Sequence, residues 1–384
     1  MTDNASTSSE ITIDLLNTWA TDPYGPVALH MKQQLLPVTA LEEEIGIIYP
    51  PTYADIGYCI DTLSDNKKVA LIDSVGSQAN RMEPIFKQKF GPNGLDESGQ
   101  YLVPQIEIVL HDDEKRSLLD LAHRSADAVV WSCKSANAKT MGLNEQMKEA
   151  FAALRNGDAE PLCCLAPTSL VFGVWDSRGG SGEKRPRLIR SLIRAWDVEE
   201  LHSSAQYNSV WKSLAKPQQD DLKKAAKSAK VKLSVKGFAD APSGQVLGGI
   251  LVRDRIEREV TVNLQALRNI HGKDDATTAH IRKYLLGLAI IAAIEDIDFF
   301  LREGCHLRCA KTEDNWFAVP RRGSVTAVNL GLPSAKAHIY KYTLESAKPF
   351  RENWPEELVY KFDLKAASDL LKKPDEVEPD EDKK

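Results

Sequence analysis

A glycine-rich basic stretch in the middle of the chain is the part of the sequence best suited to bind an anion. It reads Ser177-Arg178-Gly179-Gly180-Ser181-Gly182-Glu183-Lys184-Arg185-Pro186-Arg187. Three glycines within four positions let backbone amides turn towards a ligand without obstruction by side chains. Pro186 suits the first turn of a following helix, and a loop of this kind at the start of a helix binds anions. The stretch therefore predicts a phosphate-binding loop.

The arginines after this loop have the spacing of one helix face. At 3.6 residues per turn, Arg187, Arg190 and Arg194 fall within an arc of roughly 60°, and Ser191 lies on the same side. The opposite arc is apolar and consists of Leu188, Ile189, Leu192, Ile193 and Trp196. Solvated helix faces usually mix Glu and Lys, whereas this one carries only Arg, whose guanidinium matches phosphate geometry. We predict a phosphate-binding stripe, with an inter-subunit salt-bridge patch as the alternative.

A second candidate phosphate site follows the predicted strand Val69 to Ile72. It reads Asp73-Ser74-Val75-Gly76-Ser77-Gln78-Ala79-Asn80-Arg81. A glycine and small hydrogen-bonding side chains after a strand are typical of a phosphate-facing turn. An ordinary helix start, with Ser74 or Ser77 as the N-cap, has the same spacing. The spacing alone does not decide between the two interpretations.

No part of the sequence has a spacing typical of catalysis. The eight histidines are scattered and neither loop contains one, and the basic loop lacks the Lys-Ser or Lys-Thr pair of a P-loop. Cys305 and Cys309 resemble half of a zinc site, but no standard second pair exists to complete it. Asp112-Asp113-Glu114 is more typical of an acidic surface turn than of a metal site. We predict a protein that is not an enzyme and holds no metal or cofactor.

The charge distribution indicates one dedicated anionic ligand. The net charge is −6, yet residues 176–195 hold six basic residues against two acids. Residues 374–384 hold six acids and two lysines, which predicts a disordered tail. The N-terminus lacks the features of a secretory signal, and the longest apolar run, Tyr284 to Ile294, is too short to span a membrane and predicts a buried helix. We expect a cytoplasmic protein that does not contact membranes.

Short apolar runs alternate with longer periodic segments, which favours α/β or α+β. The predicted strands are Ile45 to Tyr49, Val69 to Ile72, Ile106 to Leu110, Leu162 to Trp175 and the half-exposed Val252 to Leu264. The clearest predicted helices of the first half are Ser117 to Val130 and Leu143 to Leu154. The Lys/Ala-rich segment Trp211 to Lys236 predicts an exposed inserted helix, and the Gly/Pro cluster up to Gly249 predicts a projecting loop or hairpin.

The two loops together resemble the large backbone subunit of type I-G (formerly I-U) CRISPR effector complexes, a family of the RAMP superfamily. The stretches that carry the resemblance are Leu71 to Arg81, Phe172 to Arg187 and Ile256 to Arg268. The resemblance implies an α+β fold with an RRM-like (ferredoxin-like) antiparallel sheet core and large insertions. The insert, the N-terminus and the tail match no family motif, so their bounds rest on composition: we predict a flexible N-terminus at 1–12, the core at 13–370 with an exposed insert and candidate thumb at 211–249, and an acidic disordered tail at 371–384.

The function implied by the resemblance is to hold CRISPR guide RNA. Copies of such a subunit polymerise head to tail along the guide, bind other Cascade subunits and present the guide for pairing with target DNA. The residues expected to bind RNA are Ser77, Gln78, Asn80, Arg81, Ser177, Arg178, Gly179, Gly180, Lys184, Arg185, Arg187, Arg190 and Arg194. The aromatics with which RRM domains stack bases are not recognisable, which favours sequence-independent holding. The alternative function is a metal-independent RNA endonuclease of the same superfamily, which would use histidine.

Overall fold

The computed structural model describes residues 10–40, 45–89, 99–112, 114–135, 140–176, 182–207, 209–239, 241–312 and 314–372. The helices are α1 (Ile13–Thr21), α2 (Val75–Met82), α3 (Ala128–Trp131), α4 (Leu143–Arg155), α5 (Glu160–Leu165), α6 (Pro167–Phe172), α7 (Lys216–Ser228), α8 (Leu264–Arg268), α9 (Asp275–Ile294), α10 (Pro333–Arg351) and α11 (Leu364–Lys372). Short 3-10 turns lie at Glu83–Lys87, Leu118–Asp120, Arg124–Ala126, Val210–Ser213 and Ser234–Lys236.

The strands follow the same chain order. They are β1 (Ala28–Pro37), β2 (Gly46–Ile48), β3 (Cys59–Thr62), β4 (Lys68–Asp73), β5 (Glu107–His111), β6 (Glu114–Ser117), β7 (Cys133–Ser135), β8 (Val174–Trp175), β9 (Lys184–Arg185), β10 (Ile189–Trp196), β11 (Val198–Tyr207), β12 (Ala241–Val252), β13 (Ile256–Asn263), β14 (Phe300–Arg302), β15 (Cys305–Cys309), β16 (Trp316–Val319), β17 (Thr326–Val328) and β18 (Val359–Phe362).

The centre of the protein is an antiparallel sheet with the strand order β14-β15-β1-β13-β10-β4-β3, extended by β16 and β17. A smaller sheet in the order β6-β5-β18-β7 contains one parallel pair, β18 with β5. The α+β class and the antiparallel RRM-like sheet with insertions are therefore confirmed.

The central strands cover one face of the sheet with apolar side chains. Along β13, the even positions from Ile256 to Val262 are buried and the odd positions are partly or fully exposed, because successive side chains of a strand point to opposite faces. The inward side chains of β1 and β13 pack in one core with the long helix α9. The predicted alternation is confirmed for residues 256–263, whereas Val252 ends the preceding strand β12.

Helix α9 is the hydrophobic centre of the helical layer. Among the helices of the described ranges it alone is long and apolar enough to cross a membrane, but 72% of its most apolar window is buried inside the protein. It contacts α1, α8 and α10 as well as the sheet. The buried helix predicted around Tyr284 to Ile294 is therefore confirmed.

A two-stranded ribbon of β11 and β12 extends from the sheet, and β2 pairs with its base. Between its strands, α7 carries no buried residue, which confirms the prediction of an exposed helix. The Gly/Pro cluster up to Gly249, predicted as a projecting loop or hairpin, lies largely in strand β12 of this antiparallel ribbon. A Cβ at Gly248 would lie 2.6 Å from the carbonyl carbon of His202, and one at Gly249 would lie 2.8 Å from the Ile48 oxygen. The absence of a side chain at these two glycines therefore allows the neighbouring backbone to approach closely.

Three predicted elements are wrong. Leu162 to Trp175 forms α5 and α6 instead of a strand, and a proline stands at the start of each helix. Ser117 to Val130 breaks into 3-10 turns before α3. The arginine segment from Ile189 is strand β10 instead of a helix, because it pairs with β13 on one side and β4 on the other.

The chain ends are only partly described. Ile11 is buried and Thr12 caps α1, so the folded core begins slightly before the predicted residue 13. Most of the predicted acidic tail, residues 373–384, lies outside the described residues. The proposed domain boundaries stay a prediction.

Candidate nucleic-acid interface

Helix α2 begins directly after strand β4, as the spacing of the second motif predicted. The Ser74 hydroxyl accepts a hydrogen bond from the Ser77 amide at 3.3 Å and caps the helix. Val75, the first residue of α2, lines a cleft that Arg187 and Arg190 also line. The motif is therefore a capped helix start, and its first turn also faces the basic segment.

The Gln78 side chain is part of the core rather than of the surface. It is fully buried, donates to Asp73 Oδ2 at 2.6 Å and accepts from the Ser191 hydroxyl at 2.8 Å. The guanidinium Nε of Arg258 donates to the same Gln78 oxygen at 3.1 Å. These bonds occupy the amide, so Gln78 positions α2 and its side chain does not reach a ligand.

Arg81 is also tied to the protein. Its Nε lies 3.1 Å from Asp73 Oδ2, and its terminal nitrogens donate to the backbone oxygens of Phe300 and Leu301 on β14. The expected RNA contacts of α2 thus narrow to Ser77, which is half-buried, and Asn80, which is exposed.

Strand β10 places its arginines on the face of the sheet opposite the helices. Arg190 and Arg194 are two pleats apart and project on one side, together with the buried Leu192. Ser191 projects on the other side into the core, so the predicted shared face of Ser191 and the arginines is wrong. Neither Arg190 nor Arg194 forms an ion pair with a described carboxylate.

Arg187 precedes β10 and joins two neighbouring clefts. The narrower cleft, of 390 Å³, is lined by Val75, Arg187, Leu188, Arg190, Thr261 and Asn263. The wider cleft, of 660 Å³, lies between the turn before α3 and the β8–β9 pair. Gly173 allows this arrangement, since a Cβ there would lie 2.8 Å from Arg187 Cγ and the residue has φ +83°.

The wider cleft has a strongly positive wall. Its charged lining residues are Arg124, Lys184, Arg185 and Arg187, and no described carboxylate lines it. Arg185 is paired with Glu183 at 2.6 Å and donates to the Leu154 oxygen. Lys184 and Arg187 have no ion-pair partner among the described residues, so they are the cations free to meet a ligand.

Arg124 lies behind this wall in a buried ion pair. Its Nε is 2.6 Å from Glu83 Oε2, and both side chains are nearly inaccessible. Burial raises the pKa of Glu83 to about 7, against the opposing effects of Arg124 and Thr168. Burial, together with the charge of Arg124, lowers the pKa of Arg187, and both residues line the wider cleft.

The sequence alone did not point to several residues of these clefts. His123 lines the wider cleft, and His30 Nδ1 lies 2.9 Å from the hydroxyl of Thr261, which lines the narrower one. Only the pairing of β1, β13 and β10 brings His30, Thr261 and Arg190 into one row. Four expected contacts, Ser177, Arg178, Gly179 and Gly180, lie outside the described residues.

Within the described ranges, no group of three or more His, Cys, Asp or Glu side chains could hold a metal ion. Cys305 and Cys309 lie on β15, where burial raises the pKa of Cys305 to about 12. Cys305 is therefore a protonated core residue.

The positioning role of Gln78 is testable by its stability effect. We expect Gln78→Ala to lower the free energy of unfolding by about 1–3 kcal/mol, because it leaves buried partners without hydrogen bonds. Asn80→Ala, on the exposed side of the same helix, is the matched control and is expected to change it by less than about 0.5 kcal/mol. Urea unfolding of both variants measures the difference, and equal midpoints would contradict the assigned role.

A comparison with known protein families agrees with the motifs. Residues 29–200, somewhat less than half of the chain, match the sequence profile of a family described as CRISPR-associated protein GSU0053. A chain from a solved "CRISPR RNA-guided surveillance complex, pre-nicking" is similar over 90% of this chain and 98% of its own length, with 11% identity and a TM-score of 0.35. No curated protein matches the sequence. Over residues 29–200, which contain both loops, this chain is therefore similar in sequence to a CRISPR-associated family, in agreement with the resemblance inferred from the loops.

Proposed function

We propose that this protein is the backbone subunit of a type I CRISPR surveillance complex and holds the guide RNA by its phosphates. The observation that carries the proposal is the convergence of two motifs about 100 residues apart on one carboxylate-free surface. The first turn of α2 lines the same cleft as Arg187 and Arg190, which form no ion pair with a described residue, in a protein whose net charge is −6. The match to a CRISPR-associated family supports the anion being guide RNA.

The open face of the sheet suits a backbone contact better than base reading. Strands β1, β13 and β10 carry two aromatic side chains on that face, Trp196 and His30. The Arg255 guanidinium lies 4.8 Å over the Trp196 ring, and His30 Nδ1 lies 2.9 Å from the Thr261 hydroxyl. Apart from the His30 ring, these three strands therefore offer no free stacking platform for bases. Phosphate contacts position a strand without reading its sequence, and base pairing with a target supplies the specificity.

The phosphate contacts are tested by the salt dependence of RNA binding. We expect Arg187→Gln with Arg190→Gln to reduce the slope of log affinity against log salt by up to about 1.4, at roughly 0.7 per contact on single strands. Adding Arg194→Gln is expected to change the slope little further, because Arg194 lines neither cleft and lies opposite Glu257 on the sheet. Fluorescence anisotropy with two unrelated single-stranded RNAs measures the slopes.

The matched control neutralises two exposed lysines, Lys361 and Lys365, on β18 and α11. These residues line neither cleft, so the Lys361→Gln, Lys365→Gln variant is expected to keep the slope of the parent protein. If both double variants shift the slope equally, the RNA does not follow the clefts.

A second candidate function, RNA cleavage, is favoured by the two histidines near the clefts. His123 and Lys184 line one cleft, and imidazole with a neighbouring cation can catalyse phosphodiester cleavage by acid–base chemistry. We propose that the protein has no nuclease activity. Among the described residues, no side chain orients the His123 ring, since only the backbone amide of His123 bonds Asp127. His30 is held by the Thr261 hydroxyl, which carries no charge to stabilise an imidazolium.

Cleavage assays separate the two functions. We expect guide and target RNA to stay intact with the parent protein, and His123→Ala and His30→Ala to bind RNA as the parent does. Gel analysis in EDTA measures cleavage independently of trace metals. Cleavage that either substitution abolishes would replace the holding function by the nuclease function.

We propose that several copies line up head to tail along one guide. A single chain of this size covers only a handful of nucleotides, as single-strand modules do, and a heterologous contact repeats without closing. The β11–β12 ribbon with α7 projects from the sheet and exposes Val210, Val235 and Phe238. These exposed apolar side chains make the insert the candidate contact to a neighbouring copy. A deletion that tests this contact must leave strand β12 intact.

Assembly is tested by mass against RNA length. We expect the bound protein mass to rise in steps as the RNA is lengthened, and replacement of residues 209–239 by a short turn to spare folding while weakening the steps. Native mass spectrometry measures the stoichiometry, and circular dichroism checks the fold. A ring of fixed size for every RNA length would rule out a head-to-tail row.

A further inference from the structure

The acidic segment at residues 374–384 carries the charge opposite to that of the wider cleft. Its two lysines come last, so residues 375–382 contain acids and no base: Asp375, Glu376, Glu378, Asp380, Glu381 and Asp382. Besides two prolines, Val377 is its only apolar residue. A segment of this composition has no apolar face to bury, so charge is the property by which it can recognise a surface.

The wider cleft presents cations that the described part of the protein does not neutralise. Lys184 and Arg187 line it without an ion pair to a described residue, and no described carboxylate lines it. Arg124 also lines it, is 4% exposed and has its Nη2 buried without a hydrogen-bond partner. Carboxylates and phosphates both offer charged oxygens to such donors. The cleft therefore suits an acidic peptide as well as a nucleic acid.

Helix α11 leads the chain towards this cleft. Strands β18 and β7 are antiparallel, and just beyond them the Asp363 amide donates to the Ser132 oxygen at the end of α3. Helix α11 then packs on α3, so the chain runs back along α3. The turn at Arg124–Ala126 precedes α3 and contacts both α3 and β8, and β8 pairs with β9, which carries Lys184.

The acids are close enough in the chain to reach the cleft. Asp375 comes three residues after Lys372, the last residue of α11, and Asp382 comes ten residues after it. An extended chain spans at most about 3.3–3.6 Å per residue, so these acids reach up to about 10–35 Å from the end of α11. One wall of the cleft, the turn before α3, adjoins the helix on which α11 packs.

We propose that residues 374–384 bind the cations of the wider cleft of the same chain when no RNA is present, and that RNA must displace them. The carboxylates pair with Lys184 and Arg187, the cations without a described ion pair. The contact itself depends only on charges within this chain, whereas its competition with RNA rests on the proposed function. The segment thereby weakens non-specific binding, since any nucleic acid must first replace an intramolecular ligand.

The tether makes a weak contact sufficient. A short linker gives an effective concentration on the order of 1 mM. If the free segment binds with a Kd of about 0.1 mM, the tethered segment fills the cleft roughly nine-tenths of the time and weakens RNA binding about 10-fold.

Zero-length cross-linking tests the contact without RNA. A carbodiimide joins a lysine amine to a carboxylate that it touches, and mass spectrometry identifies the pair. We expect Lys184 to cross-link to the acids of residues 375–382 in the full chain, and added single-stranded RNA to abolish these products. Lys148 is the matched control, because it is exposed on α4, which also packs on α3, and lines neither cleft. A mixture of isotope-labelled and unlabelled protein distinguishes contacts within one chain from contacts between copies.

RNA affinity tests the competition. We expect replacement of the six acids by their amides (Asp375→Asn, Glu376→Gln, Glu378→Gln, Asp380→Asn, Glu381→Gln and Asp382→Asn) to tighten the binding of a short single-stranded RNA about 10-fold. The control neutralises six exposed acids that line neither cleft: Glu149→Gln, Asp220→Asn, Asp221→Asn, Glu303→Gln, Glu352→Gln and Glu356→Gln. It is expected to change the affinity by less than about 2-fold at about 0.15 M salt, where distant charges are screened. Fluorescence anisotropy measures both.

The outcomes separate this inference from the proposed function. If the amide variant gains no more affinity than the control, or if Lys184 cross-links no more than Lys148, the contact is wrong, and RNA binding by the parent leaves the proposed function standing. If the cross-links join labelled to unlabelled chains, the segment binds a neighbouring copy, which also overturns the inference. If the parent binds no RNA, the proposed function fails, and the cross-links alone decide the contact.

Discussion

The buried guanidinium of Arg258 is the interaction on which the arrangement of this surface depends. It is enclosed beneath the central strand β13 and donates to Gln78 of α2, Ser191 of β10 and Gln33 of β1. Burial lowers its pKa to about 10, so it stays charged at neutral pH. Each glutamine accepts a hydrogen bond from Arg258 and donates one to a carboxylate. Gln78 donates to Asp73, and Gln33 donates to Asp314. The network therefore fixes α2 against β10, and this brings the two phosphate motifs together.

Some arginines of this protein are held in the core and others line the clefts. A count of arginines in the sequence therefore overstates the number that are available to bind a phosphate. Arg81, Arg185 and Arg258 are engaged by the protein's own oxygens. Arg187 and Arg190 meet no described carboxylate, and they line the clefts. A paired arginine stiffens the site, whereas an unpaired arginine retains its full attraction for a phosphate.

The sequence was sufficient for the exposed insert, helix α4 and the strand before α2, because each has a clear period or composition. The choice of α+β over α/β came from the family resemblance and not from the periodicity. The sequence was insufficient for the arginine segment. The spacing of residues 187–196 is compatible with an amphipathic helix, yet Arg190 and Arg194 also share a face in a strand. The segment forms a strand because it pairs with β4 and β13. Likewise, no local pattern separates the buried Gln78 from the exposed Asn80, since only the network around Arg258 determines which side of α2 faces inward.

The open face of the sheet is positive at only one end. Near the start of β10, Arg190 lies opposite Thr261, which lies opposite His30, so no acid is present in that row. Two pleats further along, Arg194 lies opposite Glu257, and Lys32 is held between Glu257 and Glu259 at 3.3 Å from each. Arg194 is roughly 13 Å from Arg190 along the strand. A phosphate chain is therefore attracted to the row of Arg190 and repelled from the row of Glu257. The charge pattern therefore supports placing the proposed RNA contact at the end next to α2 and the β8–β9 pair, away from the row of Glu257.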